Sequence, residues 1–425
     1  MTETKSILIK DTTIISNEVK RSSILIVDDT IQEVSLSLNE KDADKVIDAS
    51  NKITIPGLIN THSHAAMTLL RGVGDDQNLQ TWLNEYIWPK EANLNDELVY
   101  LGSKLAMAEM IKTGTTTFND MYFFMEETAK AVDESGIRAV LGYGMIDLSD
   151  DEKRKSELKK SRNLIKKCHN TCDNRVKVAV SPHAPYTCSE ELLIESNKLA
   201  QKNDLKLHIH VSETKQEVED ISKEKGSTPF KYLDDIDFLN SDTIAAHGVW
   251  TTDEEMKILK EKGVTVAHNP SSNTKLASGI APVHKYLKND INVSIGTDGV
   301  SSNNNLDMFS EMKLTALLQK VKLLDPTVLP TRDTFNMATV NGAKALGLNA
   351  GVIEEGKLAD IVIVDTLVPH MTPLRNALSN IIYSSLGTDV ETVICNGEIL
   401  LENKKLLTIN EQEIIQEVNE RAFEL

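Results

Sequence analysis

Over most of its length the chain alternates short β-branched apolar runs with longer amphipathic stretches, the pattern of parallel strands joined by covering helices. Eight runs stand out: Ile53 to His64, Thr115 to Asp120, Arg138 to Met145, Val176 to His183, Lys206 to Glu213, Thr243 to Val249, Val264 to Asn269 and Asn292 to Asp298. Helices are expected between them, among them Asn95 to Thr113, Asp151 to His169, Ser189 to Asn203, Thr252 to Gly263 and Asn305 to Leu324. Eight parallel strands, each followed by a helix, close into a (β/α)8 TIM barrel of roughly 250 residues. That barrel, expected over 56–346, leaves residues 1–55 and 347–425 to be placed. Both flanks carry short alternating runs, Ser23 to Asp28, Asp360 to Asp365 and Val390 to Leu401, the last with Asn396-Gly397 as a tight hairpin turn. The two chain ends are therefore expected to meet in one small β-sandwich domain.

His64, Asp120, His183, His210, His247, His268 and Asp298 each end an apolar run. The C-terminal ends of barrel strands form the mouth where active sites are built. One such residue is explained as a turn or a satisfied core group; the shared position of seven is not.

Pro56-Gly57-Leu58-Ile59-Asn60-Thr61-His62-Ser63-His64 sets two imidazoles at i and i+2, on one face of a strand, where they can grip one metal ion. A third ligand is needed while one position stays open, and His210, Asp298 and His247 are the candidates. Nitrogen and carboxylate donors without thiolate suit zinc, with iron or manganese as alternatives. Bound zinc lowers the pKa of its water to about 7, so a proton carrier must stand beside it. Glu213, three residues after His210, suits that role and equally the first turn of a helix beginning near Thr214. Asp298 could hold the metal through one oxygen and accept a hydrogen bond from the water through the other, and His247 could orient the hydroxide or stabilise developing charge. His183 stands where a bridging lysine would be needed for a second ion, so one metal is expected per active site.

Together these segments resemble the amidohydrolase superfamily: the strand carrying His62 and His64, His210-Val211-Ser212-Glu213, His247-Gly248, the stretch His268 to Asn273, Gly296-Thr297-Asp298-Gly299, and Gly356 to Val362. Within it, Trp82 to Glu91 and Ser181 to Tyr186 are similar to the 5-methylthioadenosine/S-adenosylhomocysteine deaminases. The resemblance implies one zinc on His62, His64, His210 and Asp298. It implies Glu91 on the ribose hydroxyls, with His183 and Trp82 on the substrate side and Glu213 and Asp298 touching both substrate and water. The implied reaction is deamination of the adenine ring of methylthioadenosine or adenosylhomocysteine to an inosine derivative and ammonia, in a homo-oligomer. Arginines for the homocysteine carboxylate are expected near the third and fourth strands, where Arg138 and Arg154 are the candidates, neither securely aligned. Some of the side chains from Met121 to Met125 could line a thioether pocket. Deamination or hydrolysis of another ring, or a scaffold without chemistry, are the competing functions.

The remaining features are exclusions. With 46 Lys and Arg against 64 Asp and Glu, a net charge of -18 repels nucleic acid and anionic membranes. Met1 to Lys10 lacks a signal-peptide pattern and no segment reaches the roughly 20 apolar residues of a span, so a cytoplasmic enzyme is expected. Cys168, Cys172, Cys188 and Cys395 are too scattered for a disulfide framework, and Cys168 and Cys172 are spaced as helix-packing neighbours.

Overall fold

In the computed structural model, which describes residues 5–425, eight parallel strands form one sheet in chain order. They are Leu58–Ser63, Thr115–Tyr122, Arg138–Met145, Val176–Pro182, Leu207–Val211, Thr243–His247, Thr265–His268 and Val293–Ile295. They are buried on both faces, polar side chains such as Asn60, Thr61, Thr117 and Asn119 included. The eighth strand closes against the first through polar pairs. Thr61 Oγ1 and Ser294 Oγ are 2.8 Å apart, the Asn60 amide donates to Thr297 Oγ1, and Asp298 N donates to the His62 carbonyl.

The helices start where local chemistry dictates. Asn95, Ser189, Thr214 and Thr252 each accept a backbone N–H of the first turn, and Thr252 does so in a capping box with Glu255. Asp96–Lys112, Asp151–Cys168, Glu190–Asn203, Asp253–Lys262 and Met308–Leu323 fall inside the expected ranges. Cys168 ends its helix and Cys172 lies in the following turn with φ 53°, so the two do not share a helix face. Trp82–Ile87 forms a π-helical turn before Trp88–Glu91.

The run Ile53 to His64 is two strands, not one. Lys52–Pro56 pairs with Ser6–Ile15 and Ile361–Asp365 in the second sheet, and the chain crosses into the barrel at Gly57. A Cβ there would stand 2.0 Å from Thr116 Oγ1, so only glycine permits the crossing. This sheet has nine strands drawn from both chain ends. Its first strand is shared: Lys45–Asp48 pairs with one half and Lys52–Pro56 with the other, on either side of an irregularity at Asp11. The forked sheet folds over an isoleucine core, with Ile7, Ile9, Ile24 and Ile26 packed on Ile361, Ile363 and Ile394. Asn396-Gly397 makes the expected hairpin. Met1–Thr4, part of the segment read for a signal, lie outside the described residues. No described helix is long and apolar enough to cross a membrane.

Arg138 joins the two sheets. Buried on the third barrel strand, it donates through Nε and Nη2 to Asp360 at 3.2 Å and to Asn396 Oδ1 at 2.9 Å.

Candidate active site

At the barrel mouth three imidazoles turn their Nε2 atoms inward because each Nδ1 is already engaged. His62 Nδ1 is 2.8 Å from His208 Nε2, His64 Nδ1 donates to the Met121 carbonyl, and His210 Nδ1 donates to the His183 carbonyl at 2.7 Å. Asp298 Oδ1 lies 3.4 Å from His62 Nε2 and 3.3 Å from His64 Nε2. Its Oδ2 accepts from Ser272 Oγ at 2.6 Å and Ser302 Oγ at 3.0 Å. His64 and His210 approach to 3.3 Å through their Nε2 atoms, while His62 Nε2 is fully buried with no hydrogen-bond partner among the described residues.

A buried unpaired nitrogen is costly, and here it faces other donor atoms. The sets His62, His64, His210 and His62, His247, Asp298 each bring their ligand atoms within 4.8 Å of one another. Metal-binding imidazoles ordinarily have the other nitrogen held in this way. The residues therefore fit a single metal ion.

Burial keeps the imidazoles neutral, as ligands must be. It pushes His62 and His247 down to about 4, His183 to about 3, and His210 well below its usual range. His64 is the exception: burial opposes its charged form, but the Asp298 carboxylate and the Met121 carbonyl outweigh burial and bring it to about 9. Asp298, although buried, is held well below the usual carboxylate range by His62 and His64.

Glu213 leaves the fifth strand beside this cluster. Burial and the nearby Asp298 charge push its carboxyl up to about 8. Ser278 Oγ donates to its Oε1 at 3.3 Å, and His247 Nε2 is 3.7 Å from its Oε2. Thr214, not Glu213, caps the next helix. The turn is fixed by Glu217, whose carboxylate accepts from Ser212 N and Glu213 N at 2.8 and 2.7 Å. Ser212, His247 and Asp298 all have positive φ, of 55°, 76° and 61°, a strain that concentrates at functional sites. Asn273 Nδ2 at 2.9 Å donates to His247 Nδ1, which leaves the His247 proton on Nε2, toward Glu213.

One cavity collects the remaining residues. His64, Trp82, Glu91, His183, His210, Glu213, His247 and Asp298 all line it, with His62 beneath them. His183 Nδ1 is hydrogen-bonded to Thr187 Oγ1, and Trp82 Nε1 donates to the Val73 carbonyl. An outer chamber opens alongside and shares Trp88, Glu91, Phe123 and Ile146 with the first.

Asp120 and His268 are not part of the cavity lining. Asp120 accepts from Ser63 Oγ and Ala65 N, and His268 is buried with neither nitrogen partnered among the described residues. Arg138 and Arg154 also lie elsewhere, Arg138 on Asp360 and Arg154 on Asp151 and Glu195. Of the methionines between 121 and 125, Met121 lines the inner cavity and Met125 the outer chamber.

The fold, this donor set and the sequence agree with known proteins. The amidohydrolase family profile matches residues 53–400. The chain belongs to the amidohydrolase family. It is a metal-dependent aminohydrolase. Among similar amidohydrolases, a 5'-deoxyadenosine deaminase of Methanosphaera stadtmanae is 72% identical over the full length of both chains. A 5-methylthioadenosine/S-adenosylhomocysteine deaminase of Thermococcus sibiricus is 50% identical over 93% of this chain and 94% of its own. The crystal structure of an adenosine deaminase from Xanthomonas campestris with bound zinc superposes with a TM-score of 0.94 at 33% identity, covering 99% of each chain.

Several residues of this amidohydrolase site escaped the sequence reading. His208 repeats with His210 the spacing of His62 and His64, a signal that was present and passed over. Ser272 and Asn273 lay inside a quoted motif without an assigned part. Ser278, Ser302 and Tyr122 had no signal, because only the folded loops bring them in.

Proposed function

We propose that the protein hydrolytically deaminates the adenine ring of a 5'-modified adenosine, releasing ammonia and leaving the inosine derivative. The position of Glu91 carries this reading: it stands where the inner cavity meets the outer chamber. A ring placed beside Glu213 then leaves its ribose at Glu91, which can accept two hydrogen bonds from a vicinal diol, and its 5' group toward the outer chamber. The names of the 50–72% identical relatives support the same substrate class.

We propose zinc as the ion, held by His62, His64, His210 and Asp298. When bound it supplies Lewis acidity and a nucleophile available at neutral pH. Glu213, protonated at neutral pH by its burial, delivers a proton to ring N1 as C6 is attacked, and the amine then leaves as ammonia. Asp298, its Oδ2 fixed by two serine hydroxyls, accepts one proton of the water that adds to C6 and returns it to the amine, which leaves as ammonia, while the remaining hydroxyl proton at C6 restores Glu213. His247 points Nε2–H at the charge developing near C6, where a preorganised donor is most effective. His183 and Trp82 pack on the bound nucleoside.

The outer chamber sets Leu94, Phe124, Met125 and Leu164 beside Glu126, Lys153, Glu157 and Lys160, with no arginine among the described residues that line it. Lys160 is committed to Tyr143 and Glu157, so Lys153 is the chamber cation without a side-chain partner among the described residues. The apolar part of this lining suits the uncharged 5' groups of 5'-deoxyadenosine and methylthioadenosine, and Lys153 is the cation placed to meet a homocysteine carboxylate.

Ammonia release from 5'-deoxyadenosine, methylthioadenosine, adenosylhomocysteine, adenosine, adenine, guanine and cytosine tests this directly. The 5'-modified nucleosides should give the highest kcat/KM. Turnover confined to free bases would refute the ribose assignment, and silence from a metal-loaded sample would refute the reaction.

A further inference from the structure

Glu91 does not belong to the barrel. It ends the short helix Trp88–Glu91, on the segment from Leu79 that also brings Trp82, Leu83, Ile87 and Trp88 over the cavity. Among the described residues, the one side-chain bond that ties its carboxylate to the barrel comes from Tyr122, the last residue of the second strand, whose hydroxyl donates to Glu91 Oε1 at 2.6 Å. The other carboxylate oxygen has no protein partner among the described residues.

Tyr122 is itself held firmly. It is 4% exposed, its ring centroid is 6.2 Å from that of His64 and 5.2 Å from that of Phe123, and its backbone pairs with Tyr143 on the third strand. A rigid strand residue beside a metal-site imidazole thus sets where a carboxylate on a non-barrel segment can stand. The hydroxyl has one proton, and that proton is spent on Glu91. What faces a ligand is therefore two acceptors, the free Glu91 oxygen and the lone pairs of Tyr122 Oη.

We propose that Tyr122 is a specificity-determining residue for this enzyme, orienting Glu91 and completing with it a two-acceptor site that selects a cis-diol. The inference rests on the reading that Glu91 takes the ribose. A vicinal diol brings two donors to two acceptors; a sugar without hydroxyls leaves both unpaired in a largely enclosed site. A site built to hydrogen-bond a hydroxyl rejects the analogue lacking it far more strongly than an apolar pocket rejects a change of size.

The test compares 5'-deoxyadenosine with 2',3',5'-trideoxyadenosine on the metal-loaded wild type, on Tyr122→Phe and on Glu91→Asp, with kcat/KM for both substrates from one preparation of each. A partly folded or partly loaded sample lowers both rates together and leaves their ratio unchanged. Wild type should favour the diol strongly. Tyr122→Phe should lose about tenfold to a hundredfold on the diol substrate, the range for one charge-assisted hydrogen bond, and stay within about twofold on the trideoxy substrate. Glu91→Asp keeps the carboxylate but withdraws it from Tyr122, and should lose the preference likewise, which keeps the question open to refutation if the Phe variant does not fold. An equal loss on both substrates in Tyr122→Phe, or a preference retained in Glu91→Asp, would overturn the role of Tyr122 while leaving the ribose assignment standing. No preference for the diol in wild type would instead remove the reading on which it rests.

Discussion

Replacing Glu213 by glutamine isolates proton transfer from everything else the site does. The amide has the same length and volume, so its oxygen can still accept from Ser278 Oγ, and the Glu213 backbone N–H keeps its bond to Glu217. None of the four proposed metal donors touches the changed group, and at neutral pH the amide is as uncharged as the protonated carboxyl it replaces, so the field at Asp298 is unchanged. Metal content and thermal stability should therefore hold. What is lost is a general acid/base, worth typically 10²–10⁴-fold in rate, or about 3–5 kcal/mol of barrier at 1.36 kcal/mol per decade. The assay is steady-state ammonia release at saturating nucleoside, with metal quantified on the same sample. A variant within about tenfold of wild type at equal occupancy would refute the assignment, and a variant that has lost its metal would refute the claim that Glu213 stands beside the ion and not on it.

His208→Phe removes the acceptor of the His62 Nδ1 proton and should weaken metal affinity about 10–100-fold, read by competition with a chelator; unchanged affinity would deny His208 any influence on His62. Arg138→Met leaves Asp360 buried with its backbone donor from Asn396 as the remaining partner, and should cost about 3–5 kcal/mol by urea unfolding; a loss below about 1 kcal/mol would show that the two sheets do not depend on this pair. Glu311, fully buried and pushed by burial from 4.5 up to about 7, binds its proton more tightly folded than unfolded. Stability should then fall as pH rises from about 4.5 to 7, by up to about 3 kcal/mol from this group, and Glu311→Gln should flatten that decline; parallel wild-type and variant curves would contradict it.

The barrel is legible because short β-branched strands alternate with capped amphipathic helices and the histidines and aspartates gather at one end of the strands, a pattern that needs no tertiary knowledge. The error at Ile53 to His64 has a physical origin. Lys52–Pro56 and Leu58–Ser63 are both apolar and extended, and the change of sheet between them is recorded only by Gly57, whose necessity comes from Thr116 across the interface. Arg138 is a different case: as the first residue of its strand it stands at the end of the barrel away from the mouth, so its place in the sequence already argues against a role on the substrate. The contacts of Tyr122 with Glu91 and of Ser278 with Glu213 join segments whose spacing follows no helical or strand period. No periodicity in the chain could have announced them.

The strand that delivers His62 also has a place in time. Lys52 pairs with Glu391, 339 positions later, and the strand holding Lys52 lies against Ile361–Asp365. A ribosome emits residues in order, so the stretch entering the barrel at Gly57 waits, with one edge uncovered, until nearly the whole polypeptide has appeared. Long-range pairing of this kind is slow because loop closure precedes its reward. His62 and His64, two of the proposed metal ligands, are thus among the earliest residues made, and a chain released before residue 361 would lack the strand that pairs with Lys52–Pro56 just ahead of them.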